Sequence, residues 1–218
     1  MPDFQTLLIY IIPLLFAITI PQAASGWVAS KLGDHTASML GKVTLNPVKH
    51  IHPVGTILVP LLLLITSIGF VFGWAKQIPL NSRALKPQRS GIILVSLSGP
   101  GANFLLAIGW LIISNFAPSG TVLLKMSAFG IYINILLAVF NLIPIPPLNG
   151  SRVISELLPG PLSYQYNQLE QYGFFIVLGL MFLGAFKYIL LIIFLVLDFL
   201  SIFSQFNVLQ FVINNVFS

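Results

Sequence analysis

Two kinds of residue are scarce in this chain, and their scarcity limits what it can be. The 218 residues include no cysteine, which excludes disulfides and thiolate metal sites. Only 7% of the residues are charged, whereas 57% are hydrophobic, and the mean hydropathy is +0.98. A water-soluble domain of this size could not cover its surface with so few charges. The composition therefore predicts an all-α polytopic membrane protein in contact with membrane lipids.

Among the few charged residues, the acidic ones are in the minority, with five Asp and Glu against ten Lys and Arg. The formal net charge is +5. An excess of cations can indicate a nucleic-acid partner. Here most of the cations stand in short connections between apolar runs, where the positive-inside rule of membrane proteins accounts for them. We therefore expect no nucleic-acid partner.

The apolar runs predict the membrane segments, and they cover residues 7–29, 54–73, 92–117, 122–143 and 174–200. The polar residues 151–172 are predicted to form a loop, and residues 1–200 a single membrane domain. Residues 201–218 are predicted to be an apolar tail lying at the membrane interface. The first run could also be a cleaved signal peptide, but it is preceded by Asp3 and by no Lys or Arg.

The second run presents a topological conflict. If residues 54–73 crossed the membrane fully, the four cations between residues 76 and 89 would lie on the opposite side from those of residues 31–52. The conflict disappears if this run is re-entrant or short, bent at Pro60 or near Gly69, so that it enters and returns on the same side. We predict that topology.

A proline-broken stretch follows the fourth run, from Asn141 to Arg152. Pro144, Pro146 and Pro147 lack a backbone N–H and push the residues before them towards extended conformations. Non-helical backbone near membrane depth cannot face lipid, and it is tolerated only against protein or a polar cavity. The stretch is therefore a candidate functional site.

Five motifs in this order resemble the site-2 protease family of intramembrane zinc metallopeptidases, in its short bacterial type without a PDZ domain. They are Gly26 to Asp34, Leu45 to Ile51, Phe72 to Lys76, Ser98 to Asn103 and Asn141 to Arg152. The resemblance implies a helix bundle in a bacterial inner membrane, with zinc as the cofactor. In the family, a helical His-Glu-x-x-His supplies two zinc ligands and a general base, and an aspartate in the proline stretch supplies the third ligand.

This chain departs from the family at every one of those positions. Aligned on Trp27, the two histidine positions hold Pro21 and Ser25, and the glutamate position holds Gln22. Asn149 stands at the aspartate position. Proline has no ligand atom in its side chain, glutamine has no carboxylate to accept a proton, and serine and asparagine are poor zinc ligands. The pattern indicates relaxed selection on the chemistry and retained selection on the fold, so we expect no zinc and no catalytic residues here.

The leading hypothesis is a catalytically inactive family member that binds a transmembrane protein partner or a substrate-like helix. The residues predicted to line its binding cavity are Asn103, Asn141, Pro144, Pro146, Pro147, Asn149 and Gly150, with the proline stretch as the docking edge. Buried Asn103 and Asn149 are also expected to bond unpaired backbone carbonyls of broken helices.

Two alternatives remain open from the sequence. The first is an active protease with relocated ligands, for which His35, His50 and His52, with help from Asp34, are the available residues. The second is a small transporter or channel subunit, for which Lys187 is the ionisable residue well inside an apolar run.

Overall fold

A computed structural model describes residues 4–58 and 78–216, and these residues form helices and turns without a strand. The helices are α1 (Phe4–Lys31), α2 (Thr36–Met39), α3 (Gln88–Phe116), α4 (Val122–Leu142), α5 (Asn149–Leu157), α6 (Gly160–Gln168), α7 (Gly173–Phe182), α8 (Phe186–Ser201) and α9 (Val208–Val216). Short 3-10 turns cover Pro47–Lys49, Ser82–Ala84 and Leu169–Tyr172, and a π-helical turn covers Pro53–Leu58. The all-α prediction is confirmed.

Three of these helices are long and apolar enough to cross a membrane: Ile9–Lys31, Gln88–Phe116 and Val122–Leu142. A span needs about 20 apolar residues because the hydrocarbon core is about 30 Å thick. They correspond to the predicted first, third and fourth runs, and α1, α3 and α4 pack against one another. The chain is therefore a membrane helix bundle.

Small residues set how closely these helices approach. A Cβ at Gly130 of α4 would lie 2.6 Å from the indole ring of Trp110 on α3, so only glycine allows the ring to lie flat against this backbone. The core continues from this contact through Ile131 and Ile135 of α4, both fully buried.

The connection after α1 is fastened by Asp34, which is 1% exposed. Its carboxylate accepts hydrogen bonds from the Thr36 N–H (2.9 Å), the Thr36 hydroxyl (2.5 Å) and the Asn81 N–H (2.7 Å). The Lys86 N–H donates to the Leu32 carbonyl at 2.9 Å beside it. Residues 81–86 are thereby held against the carboxyl end of α1.

These contacts bear on the predicted re-entrant run, residues 54–73, of which residues 59–73 lie outside the described residues. On its amino-terminal side, the Val43 side chain lies 2.9 Å from a Cβ placed at Gly26, near the carboxyl end of α1. On its carboxyl-terminal side, Ile78 lies 3.8 Å from a Cβ placed at Gly26. Both flanks thus lie at the same end of α1, which the re-entrant topology requires.

Asp34 also gives a stability prediction. Burial raises the pKa of the Asp34 carboxyl, but the hydrogen bonds from Thr36 and Asn81 and the nearby His35 lower it by more. In the folded chain the pKa of Asp34 is therefore below its ordinary value. Asp34→Asn should destabilise the fold by about 2 kcal/mol near neutral pH, since an amide N–H₂ cannot accept the Asn81 N–H.

A depressed pKa stabilises the folded chain fully above the unfolded value of about 3.9, and this contribution is lost as pH falls through the folded value. The gap in thermal midpoint between the wild type and Asp34→Asn, measured in detergent, should therefore close below about pH 4. Asp198→Asn, at an exposed position, is the matched control. A gap that stays constant down to acidic pH would contradict the charged role of Asp34.

The carboxyl-terminal part differs from the sequence prediction at two places. Residues 174–200 are not one helix, because α7 ends at Phe182. Two residues later Gly184 is left-handed (φ 75°), and the Ala185 N–H donates to the Leu180 carbonyl at 2.9 Å, as in a glycine-terminated helix end. Residues 151–172, predicted as a loop, are largely helical in α5 and α6.

The interfacial position predicted for the tail stays a prediction, but the structure shows what its helix packs against. Val208 and Val212 of α9 are fully buried in one core cluster with Ile193 and Leu197 of α8. Their spacing of four residues forms one apolar helix face, which contacts α4 and α8. The helix α9 is therefore packed into one core with α4 and α8.

Candidate functional site

The two halves of the degenerate family motif meet at Gly99 of α3. A Cβ at Gly99 would lie 3.0 Å from the Ser25 Oγ, 3.4 Å from the Asn149 Nδ2 and 3.7 Å from the Pro21 carbonyl oxygen. Pro21 and Ser25 are four residues apart on α1 and so share a helix face. Asn149 is the first residue of α5, so α1, α3 and α5 converge on one small space.

Serine side chains extend this group along α3. The Ser98 Oγ is 3.2 Å from the Ser25 Oγ and donates to the Val95 carbonyl at 2.7 Å. Ser25 is buried, with 9% of its surface exposed. The group consists of hydroxyls, a carboxamide and a peptide carbonyl, all uncharged, and none of these can act as a general base near neutral pH.

Gln22 follows Pro21 on α1, half-buried, and is not among the nearest atoms to Gly99. One helix step of 100° turns it away from the face that Pro21 and Ser25 share. The structure thus brings together three of the four degenerate positions, and places the fourth beside them on the same helix turn.

The proline stretch is held from within the chain. Its residues 143–148 are non-helical, as predicted, with a cis bond between Pro146 and Pro147. The Tyr166 hydroxyl donates to the Pro144 carbonyl at 2.6 Å. A Cβ at Gly173 would lie 2.6 Å from the Pro147 ring and closer still to the Pro146 carbonyl.

Gly150 anchors the carboxyl end of the same stretch, because a Cβ there would overlap the Leu142 carbonyl and lie 2.7 Å from the Ile143 carbonyl oxygen. Asn141 precedes the stretch, and its Nδ2 donates to the Leu137 carbonyl one turn back at 2.8 Å. The close packing at Gly150 and the hydrogen bond of Asn141 hold the two ends of the stretch, and thereby position Asn149 against Gly99.

Asn103 lies one turn beyond Gly99 on α3 and is 2% exposed, in the interior as predicted. Within the described part of the chain, its Oδ1 has no hydrogen-bond partner. The expectation that its amide bonds a freed backbone carbonyl stays a prediction.

Four other buried polar side chains of the spans were not predicted from the sequence, and their oxygens likewise have no partner among the described residues. They are Thr19, Ser96, Ser127 and Asn134. The available signal was a spacing of seven residues, from Ser96 to Asn103 and from Ser127 to Asn134, which places each pair on one helix face.

The histidines are placed differently from the Gly99 group. His50 is 1% exposed, and its Nε2 lies 2.9 Å from the Thr44 carbonyl oxygen. It thus bonds the backbone of the connection in which it lies. His35 is exposed, and Asp34 is engaged with Thr36 and Asn81. Among the described residues, no three His, Cys, Asp or Glu side chains could hold a metal ion together.

Relatives of this chain are found among curated proteins, although no family model and no solved structure matches it. A Bacillus subtilis protein named "Putative zinc metalloprotease YwhC" is 38% identical over 189 residues, 83% of each chain. The chain belongs to the site-2 protease family. "Putative zinc metalloprotease Rip2" of Mycolicibacterium smegmatis is 29% identical over 78% of this chain and 65% of its own length. "Putative zinc metalloprotease MJ0611" of Methanocaldococcus jannaschii is 39% identical over 70 residues, 36% of its length.

Membership in the family raises the question of whether the residues present fit zinc. Structural and catalytic zinc sites use imidazole, thiolate and carboxylate ligands. The Gly99 group offers a hydroxyl, an amide and a backbone carbonyl, which neither balance the charge of Zn²⁺ nor match its preferred donors. The donor set at this position therefore does not fit zinc.

Proposed function

We propose that this chain is a catalytically inactive member of the site-2 protease family, which binds a membrane-protein partner in a bacterial inner membrane instead of cleaving it. The observation that carries the proposal is the convergence of Pro21, Ser25 and Asn149 on Gly99. The packing that would assemble a metal centre is retained, whereas each ligand atom is replaced by a neutral group. Peptide hydrolysis needs an activated water, and these groups supply neither a metal nor a base for it.

A groove on α1 next to this site supports the binding part of the proposal. The groove measures about 320 Å³ and lies between α1 and the connection that follows it, lined by Ile20, Ala23, Ala24, Trp27, Val43, Thr44 and Leu45. We call it the α1 groove. Its α1 wall belongs to the span Ile9–Lys31, its other wall is formed by residues 43–45, and Thr44 is its one polar lining residue. An apolar side chain of a partner's transmembrane segment is the occupant that such a surface suits.

The α1 groove is a better docking site than the proline stretch. The Pro144 carbonyl is already bonded by Tyr166, and Gly173 covers Pro146 and Pro147. Trp27 and Leu45, by contrast, are 55% and 68% exposed at the rim of the groove. Ala23 and Ala24 have small side chains, which leave open the space between Trp27 and Leu45.

Site-specific crosslinking tests the partner. A photoactivatable amino acid at Leu45 should form an adduct, in membranes, with a peptide from the transmembrane segment of another protein. The same probe at Leu105, which is 71% exposed on α3, should form adducts with lipid. Equal protein adducts at both positions would show that the groove has no special affinity.

A substitution that fills the α1 groove provides a second test of the same proposal. Ala24→Phe should reduce the Leu45 adduct at least about tenfold, because the added ring occupies the space that the partner side chain needs. Leu94→Phe, at an exposed position of α3, is the matched control and should leave the adduct unchanged. An adduct that survives Ala24→Phe would remove the groove from the proposal.

A further inference from the structure

A second and larger cavity lies at the end of the bundle and plays no part in the proposed function. It measures about 870 Å³, within the usual range for ligand sites of about 300–1,000 Å³. Its walls include Lys42, Leu80, Ile92, Arg152, Glu156 and Glu170. We call it the polar cavity.

The polar cavity lies where the chain leaves the apolar spans. Lys42 belongs to the connection after α1, Ile92 lies in the second turn of α3, and Arg152 and Glu156 lie on α5, directly after α4. Lipid headgroups occupy this level around a helix bundle, just outside the hydrocarbon core. The cavity is thus placed to take a headgroup.

The charges on the cavity walls indicate which kind of headgroup. Two of the chain's five acidic residues, Glu156 and Glu170, line this one cavity together with the cations Lys42 and Arg152. The Lys42 ammonium, which has three N–H groups, also donates to the Lys49 carbonyl at 2.6 Å. A purely anionic group would meet two carboxylates, and a purely cationic group would meet two cations. A zwitterion can place its anion near the cations and its cation near the carboxylates.

The cationic end of the ligand follows from the same walls. A primary ammonium donates three hydrogen bonds, which carboxylates accept, whereas a quaternary ammonium donates none and is usually held by aromatic rings. None of the described lining residues is aromatic. Leu80 and Ile92, which also line the cavity, offer apolar surface for the start of the acyl chains.

We propose that the polar cavity is a binding site for a phospholipid with a zwitterionic phosphoethanolamine headgroup. Its phosphate lies near Arg152 and Lys42, and its ammonium lies near Glu156 and Glu170. This site is separate from the Gly99 group and the α1 groove, so it stands or falls independently of the proposed function.

The test measures lipid retention by native mass spectrometry of the full-length chain, purified in detergent and titrated with defined lipids. Phosphatidylethanolamine should bind about tenfold more tightly than phosphatidylglycerol, which is anionic, or phosphatidylcholine, which cannot donate hydrogen bonds. Equal binding of phosphatidylethanolamine and phosphatidylglycerol would overturn the proposal.

Charge variants make the test specific to this cavity. Glu156→Gln with Glu170→Gln should cut the preference for phosphatidylethanolamine over phosphatidylglycerol to about twofold or less, because the carboxylates that repel the anionic lipid are gone. Arg152→Gln should weaken both lipids, since each carries a phosphate. Lys125→Gln with Asp198→Asn removes the same two kinds of charge outside the cavity, and the preference should persist.

Two further outcomes would count against a lipid. If free phosphoethanolamine displaced the bound lipid at a similar concentration, the ligand would be a soluble zwitterion, since the apolar wall would then contribute nothing. If the purified chain retained a peptide in place of lipid, and the two Glu→Gln changes released it, the cavity would be a peptide site. A preference that is unchanged in the double Glu→Gln variant would also refute the assignment.

Discussion

Changing Pro21 and Ser25 to His, Gln22 to Glu and Asn149 to Asp should create a site that holds one zinc ion per chain. The expected gain follows from the geometry at Gly99, where the Ser25 Oγ and the Asn149 Nδ2 lie within 3.4 Å of the same point. Two imidazoles four residues apart on α1 and a carboxylate from α5 are a ligand set that zinc accepts, with a position left open. Zinc would be measured by mass spectrometry of the metal in protein purified without chelator.

The matched control restores α1 alone and keeps Asn149. This triple variant should bind zinc at least about tenfold more weakly, since it lacks the carboxylate ligand. If the quadruple variant folds, as judged by its thermal midpoint, and still takes up no zinc, then α1 and α5 do not face each other as described. Equal zinc affinity in the two variants would show that Asn149 lies away from the site.

Gly150→Ala adds one methyl group, and it should lower the stability of the fold more than any other single methyl group added at the site. The new Cβ would overlap the carbonyl of Leu142 and come within 2.7 Å of that of Ile143, and backbone atoms cannot rotate away as a side chain can. Overpacking of this kind costs about 1–3 kcal/mol and more where the backbone must move. We expect a thermal midpoint lower by about 5 °C or more, because about 1 kcal/mol shifts the midpoint by 2–4 °C in a chain of this size.

Gly160→Ala is the control for that variant. Gly160 begins α6, and a Cβ there would meet nothing within 4 Å, so its thermal midpoint should stay within about 1 °C of the wild type. A Gly150→Ala protein as stable as Gly160→Ala would mean that the end of α4 and the start of α5 are not in the close contact described.

The sequence predicted the parts of this fold that depend on composition and local chemistry. Long apolar runs define α1, α3 and α4, because a helix is the way such a segment satisfies its backbone within a membrane. The prolines at 144, 146 and 147 end α4 by removing N–H donors, and this break is visible in sequence. The helical break at Gly184 was harder to predict, because glycine is common inside membrane helices and signals a helix end only in its left-handed conformation.

The candidate site was predictable only in part, for a similar reason. The family motifs located Pro21, Ser25 and Asn149, but their convergence depends on Gly99, whose missing side chain leaves room for all three. Asp34 appeared in sequence as a turn residue, whereas its bond to the Asn81 N–H joins residues 47 positions apart. The burial of Val208 and Val212 likewise depends on how α9 returns to α8, which local sequence does not encode.

The zinc content of the wild-type chain tests the central claim most directly. Protein purified in detergent with zinc present, and then freed of loosely bound metal, should hold less than about 0.1 zinc ion per chain, because the groups at Gly99 do not suit zinc. The quadruple restored variant, treated in parallel, verifies that the procedure retains a real site. One tightly bound zinc per wild-type chain would contradict the account, because it would require a zinc site that these groups do not provide.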